Sequence, residues 1–151
     1  MPPRVLVVDD NPDSAQSVGT LLECLGAEVE IALDGPSALR ALERRPPRIV
    51  LLDLDMPGMD GFEVARRIRA RDEWRELLVV ALTGWGQRGD RRRTLQHGFD
   101  YHLLKPAELD ALTALLAAAP RPFADPERVE RADPSTSAPP LQQPEAVGRG
   151  R

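Results

Sequence analysis

The sequence predicts an α/β protein, a doubly wound (βα)5 domain built on a five-stranded parallel sheet. Two observations carry this. Short apolar runs, Val5–Val8, Ile49–Leu52 and Leu77–Leu82, each end abruptly in a polar residue, as buried strands do. Between them lie stretches with apolar residues at helical spacing, and parallel strands need helical crossovers to connect them. A chain of 151 residues suits one such domain with a proper core and is short for two.

Val5-Leu6-Val7-Val8 is the first strand, with Asp9-Asp10 at its exit. Asn11-Pro12 reads as an N-cap followed by proline at the first helical position. Ala15, Val18, Leu21, Leu22 and Leu25 then recur on one helical face, and Gly26 closes the helix. Cys24 is expected in that core as a small hydrophobe. Ala27 to Ala32 alternates acidic and apolar residues, the pattern of an exposed edge strand. Asp34-Gly35-Pro36 opens a second helix with Ala38, Leu39 and Leu42 inward, and Pro46-Pro47 stops it.

Ile49 to Asp53 is the third strand, and a turn-rich loop follows it, Met56-Pro57-Gly58-Met59-Asp60-Gly61. A third helix runs from about Phe62, with Phe62, Ala65 and Ile68 on one face and Arg66, Arg67, Arg69 and Arg71 expected as a solvated face. Leu77–Leu82 is the fourth strand, ending at Thr83. Gly84-Trp85-Gly86-Gln87 is a loop, and Asp90 to His97 makes a short helix that ends at Gly98. Phe99–Leu104 is the fifth strand, closed by Lys105-Pro106. A last helix, about Ala107 to Ala118, carries Leu109, Leu112, Leu115 and Leu116 inward. Residues 1–120 therefore form the domain. Residues 121–151 are rich in Pro, Ser, Ala and Gln, too poor in large apolar residues to offset their ordering entropy, and are expected to be a disordered tail.

Bulk properties exclude several roles. A net charge of −4 argues against electrostatic binding to nucleic acid or to an anionic membrane. The single cysteine excludes an internal disulfide and fits a reducing compartment. No apolar run reaches membrane-spanning length, and the N-terminus enters its first strand without a signal-peptide pattern, so a soluble, cytoplasmic protein is expected. Of the 20 basic residues only Lys105 is lysine, which points to a position needing a compact ammonium group.

The reactive side chains all fall at the carboxyl ends of strands: Asp9 and Asp10, Asp53, Thr83 and Lys105. That edge is where open α/β sheets gather ligands, and strands about 4.8 Å apart bring these groups within mutual reach. Clustered carboxylates repel unless neutralised, and an all-oxygen set suits a hard divalent cation such as Mg²⁺. With Lys105 compensating charge and Thr83 offering a hydroxyl, Asp53 fits a carboxylate nucleophile for in-line phosphoryl transfer.

The ordered set of motifs resembles the receiver domain of bacterial two-component response regulators, over roughly Arg4 to Ala118. Asp9-Asp10 resembles the family's acidic pair, Leu52-Asp53 with Met56 to Gly61 its phosphoacceptor loop, Thr83-Gly84 its switch threonine with a small neighbour, and Lys105-Pro106 its lysine with a cis-proline. The resemblance implies a flavodoxin-like sheet of order 2-1-3-4-5, similar to a stand-alone chemotaxis receiver. It implies that Asp53 takes phosphate from a histidine kinase or phosphotransfer protein. It further implies Mg²⁺ held by Asp10, Asp53 and the Asp55 backbone carbonyl, with Asp9 partly through water. Lys105 would contact phosphoryl oxygens, and Thr83 would move toward them. The receiver would catalyse its own phosphorylation and dephosphorylation without being an enzyme in the usual sense. It would signal to an unidentified downstream protein through a changed docking face. A homodimer through the last helix-strand-helix face, with Asp90 and Arg91 to Arg93, is a further possibility; a solvated helix fits that arginine run equally well.

Two positions depart from the family pattern or add to it. His102 stands where the family often has Tyr or Phe. The expected reading is a surface strand residue; the alternative is a polar switch side chain, since imidazole titrates near pH ~6.5. Tyr101 should point to the opposite face. Trp85, with Met56 and Gly84 at the rim of the site, is expected either to shield an acyl phosphate from water or simply to pack the loop. Two rivals remain. Asp53-Leu54-Asp55 also resembles the opening motif of haloacid-dehalogenase phosphatases, with Asp53 as nucleophile and Asp55 as general acid. Against that, two strands precede the motif here. A pseudo-receiver serving only as a binding module is the other, and retention of the acids and the lysine argues against it.

Overall fold

The computed structural model describes residues 2–84 and 98–118. Five strands, β1 (Arg4–Val8), β2 (Glu28–Ala32), β3 (Ile49–Asp53), β4 (Leu78–Thr83) and β5 (Tyr101–Leu104), pair in one parallel sheet of order β2-β1-β3-β4-β5. Helices α1 (Pro12–Cys24), α2 (Gly35–Arg44), α3 (Gly61–Arg69) and α4 (Leu109–Ala118) cover it. This is the doubly wound fold and strand order expected above. The helix expected over residues 90–97 and the tail expected over 121–151 lie outside the described residues.

The alternation of side chains along each strand divides the core into two layers. Val5, Val7, Ile49, Leu51, Val80, Leu82, Tyr101 and Leu103 pack with the apolar faces of α1 and α4. Leu6, Val8, Val50, Leu52, Val79 and Ala81 pack with those of α2 and α3. Every residue of β3 is buried, which explains why its sequence is a continuous apolar run. The helices begin where short polar side chains satisfy free backbone donors. Asn11 accepts from the Ser14 N–H at 3.1 Å, Asp34 from Ser37 at 2.8 Å, and Asp60 from Glu63 at 3.0 Å. After α1 the chain turns at Gly26, whose φ of 98° is cheap only for glycine.

Several expectations need correction. Cys24 is exposed. The buried stripe of α1 runs through Ala15, Val18, Gly19 and Leu22, and a residue two beyond Leu22 is rotated about 200° away from it. Leu109 is 47% exposed, because it opens α4 ahead of the first buried position, Ala111. Arg69 is not part of a solvated arginine face. Its guanidinium donates to the Gly98 carbonyl at 2.8 Å, to Asp100 Oδ2 at 2.6 Å and to the Leu77 carbonyl at 3.2 Å. Asp100 Oδ2 also accepts from the Val79 N–H at 2.9 Å. The planar fork of arginine serves these separate acceptors at once, tying the end of α3 to the entry of β5. Its neighbour Arg71 lies over the Trp74 ring at 4.2 Å, covering an otherwise buried indole.

Candidate functional site

The sheet changes direction of winding between β1 and β3, and the site lies at their carboxyl ends. Asp53 closes β3 and is only 4% exposed. The end of β1 delivers Asp9, buried, and Asp10, exposed; the end of β5 delivers Lys105. One carboxylate oxygen from each of Asp9, Asp10 and Asp53 lies within 4.8 Å of the others. Lys105 Nζ stands 3.1 Å from Asp9 Oδ2 and 3.4 Å from Asp53 Oδ1. The Lys105-Pro106 peptide is cis. The expected acids and the lysine thus meet at one place.

Local backbone geometry prepares these groups. The Asn11 N–H donates to Asp9 Oδ1 at 3.0 Å, and the Asp55 N–H donates to Asp53 Oδ1 at 3.2 Å. Asp55 itself is exposed and contributes no carboxylate to the cluster. Gly61 is required by a close approach: a Cβ there would lie 2.5 Å from the Asp53 carbonyl oxygen and 2.9 Å from Leu54 Cα. Its N–H donates to the Leu54 carbonyl at 3.3 Å, so the loop after β3 closes on itself against the first turn of α3. Met56 is buried in the layer under α2 and α3 rather than standing free at the rim. Gly84 is exposed with open space around it, and Trp85 lies outside the described residues.

The electrostatics separate the acids. Burial is the largest influence on Asp53 and pushes its pKa up to about 6, with the nearby Asp9 adding to the rise and the Asp55 N–H and Lys105 opposing it. Burial also acts on Asp9, but the Asn11 N–H, the Ser14 hydroxyl and Lys105 together outweigh it and hold Asp9 below the ordinary carboxylate range. Burial would lower Lys105, yet its ion pairs with Asp9 and Asp53 win, so it is held charged. Among the described residues, one ammonium pairs with two of three clustered carboxylates. The donor set is all oxygen, and the excess negative charge at close range fits a hard divalent cation.

Thr83 and His102 meet out of water. Thr83 is 2% exposed and His102 only 1%, with Thr83 Oγ1 and His102 Nε2 2.8 Å apart. The expectation of a surface histidine is therefore wrong: β5 packs both of its faces, with Tyr101 in the layer under α1 and α4 as the alternation requires. Sequence reasoning also missed Ser14, whose place in the first turn of α1 brings its hydroxyl to Asp9. A cavity of about 460 Å³ opens beside Lys105 and Gly84, between Ser14, Val18 and Leu21 of α1 and the Pro106 turn.

Fold and site together define a class: a doubly wound domain with a buried, cation-ready aspartate cluster and one lysine at its switch point. Residues 5–117 match the response regulator receiver domain family, and the chain belongs to that family. It is a receiver domain of the two-component signalling type. It is 39% identical over 104 residues to an uncharacterised 14.6 kDa protein of Leptolyngbya boryana, covering 69% of this chain and 79% of that one. It is 44% identical over 107 residues to the sensor protein GacS of Pseudomonas syringae pv. syringae, covering 69% of this chain but only 12% of GacS. Among solved structures, the receiver domain of the sensor histidine kinase PA1611 from Pseudomonas aeruginosa superposes with a TM-score of 0.72 at 33% identity, covering 79% of this chain and 98% of that one; that structure has magnesium coordinated in its active-site cleft.

Proposed function

We propose that Asp53 accepts a phosphoryl group from the phosphohistidine of a histidine kinase or phosphotransfer protein. The observation that carries this is the meeting of Asp53 with Asp9, Asp10 and Lys105 at one strand edge. In the transfer, an Asp53 carboxylate oxygen forms the new O–P bond as the donor's N–P bond breaks, and the imidazole leaves as the neutral ring after taking up a proton. Asp9, Asp10, Asp53 and the Asp55 carbonyl are the groups that would hold Mg²⁺. The ion would neutralise charge on the acids and the incoming phosphoryl oxygens. Lys105 balances the remaining charge from the other side, and Thr83 supplies a hydroxyl to a phosphoryl oxygen. The cavity beside Lys105 gives the donor's ring an approach. Water later attacks the phosphorus, the O–P bond to Asp53 breaks, and inorganic phosphate leaves, with Asp53 again a carboxylate.

The phosphorylated domain hands its state to a downstream protein through an altered surface, either as a monomer or as a dimer. Of the last helix-strand-helix face, β5 and α4 are among the described residues. No described helix is long and apolar enough to cross a membrane, and we place the protein in the cytoplasm. We further take 1–120 as the domain and 121–151 as a Pro-rich tail. The test is incubation with acetyl phosphate and Mg²⁺, followed by intact mass analysis of wild type and Asp53→Asn. Wild type is expected to gain one phosphoryl group and the variant none; equal gain in both removes Asp53 as the acceptor.

A further inference from the structure

We propose that His102 is a positioning residue for the Thr83 hydroxyl, acting as its hydrogen-bond donor when a phosphoryl group sits on Asp53. The inference rests on the phosphoacceptor reading of Asp53. Its own foundation is the buried contact of 2.8 Å between Thr83 Oγ1 and His102 Nε2. The two residues are on neighbouring strands, where Ala81 pairs with His102 and Thr83 pairs with Leu104. Both side chains thus leave the same face of the sheet, one step apart. The Lys105 N–H donates to the Thr83 carbonyl at 2.8 Å, which continues the pairing past the end of β5 and fixes the offset.

Proton counting gives the contact a direction. A threonine hydroxyl has one proton to donate and two lone pairs to accept with. A neutral imidazole either donates or accepts at Nε2, depending on which nitrogen carries its proton. Without a phosphoryl group, the heavy atoms fit a bond running either way. Phosphoryl oxygens accept hydrogen bonds and donate none at neutral pH. Once Thr83 gives its proton to one of them, the contact with His102 survives only if Nε2 carries a proton. The acyl phosphate therefore selects the Nε2–H form of His102, and that form in turn holds the Thr83 oxygen at the angle that aims its proton at the site. A phenylalanine at this position could fill the space but could not hold the hydroxyl.

The test uses the full chain with ¹⁵N-labelled histidine, of which there are two, His97 and His102. The His102 resonances are assigned by their loss in His102→Gln. With Mg²⁺ and beryllofluoride as a non-hydrolysable phosphoryl mimic, the wild-type Nε2 of His102 is expected at the chemical shift of a protonated nitrogen. An unprotonated Nε2 in that complex overturns the proposal. Kinetics supply a second arm, with phosphorylation by acetyl phosphate read by intact mass. His102→Phe is expected to slow the reaction about tenfold, the loss of one buried hydrogen bond. His102→Gln keeps an N–H donor near the Nε2 position and should recover to within about threefold of wild type. In a Thr83→Ala background His102→Phe should cost nothing further, whereas a packing role would cost the same in both backgrounds. Equal rates for the Phe and Gln variants, or full additivity with Thr83→Ala, refute the positioning role. If wild type itself gains no phosphoryl mass, the phosphoacceptor reading falls and takes this one with it. If wild type is phosphorylated and the cycle is additive, only the inference about His102 fails.

Discussion

Replacing Asp53 with asparagine should make the metal-free protein more stable. In the folded state the Asp53 pKa lies at about 6, against an ordinary value of 3.8. The folded state therefore binds more protons than the unfolded state between those values. By linkage, this group's contribution to stability is greatest below pH 3.8 and declines as pH rises through 6. At about 1.4 kcal/mol per pKa unit, ionised Asp53 costs the fold up to about 3 kcal/mol at pH 7. Asparagine removes that cost, but it also deprives Lys105 of one of its two carboxylate partners, so a net gain of about 1–3 kcal/mol is expected. The assay is urea unfolding from pH 4.5 to 8, in EDTA and again in saturating Mg²⁺. In EDTA the advantage of the variant should grow with pH and level off above about 7. In Mg²⁺ it should shrink or reverse, because the wild type gains a bound ion that the variant holds less well. A variant less stable than wild type in EDTA at pH 7, or an advantage that does not change with pH, would refute the reasoning.

Other consequences are equally direct. Mg²⁺ affinity should fall about tenfold per pH unit below 6, as protons compete for Asp53, and calorimetry should find close to one proton released per ion at pH ~5 and few at pH ~7.5. Gly61→Ala drives a methyl group into the Asp53 carbonyl and should cost about 1–3 kcal/mol in urea unfolding while slowing phosphorylation by acetyl phosphate. Arg69→Ala removes the charge-assisted bond to Asp100 and should cost about 1.5–3 kcal/mol; a cycle with Asp100→Ala should show strong coupling, and independent effects would refute the tie.

The strands and most helices were legible because local chemistry and tertiary position agree. Ile49–Asp53 reads as apolar throughout since both of its faces are covered, and Asn11, Asp34 and Asp60 announce the helices they cap. Asp9, Asp10, Asp53 and Lys105 were legible for a related reason: each lies at or just past the end of a strand, so the parallel sheet brings them together. What escaped depends on geometry that periodicity does not encode. Whether His102 is covered is decided by what lies across the sheet from it, and not by its own strand. Arg69 has the same sequence context as its exposed neighbours, yet only its fork reaches Gly98, Leu77 and Asp100. Gly61 looked like one more loop residue, and only the folded loop shows a backbone lying against it.

The outer strand β2 bears on how copies of this protein can meet. Glu28 and Glu30 line it, paired with Arg4, Arg44 and Arg45. A second chain laying a strand along this edge would have to desolvate those ion pairs, and a copy of β2 itself would set acid against acid. At the other margin β5 offers only four residues, too short a template to extend a sheet. Both margins thus guard against runaway strand addition. A strand added at either margin would meet charge along β2 or a template of four residues at β5.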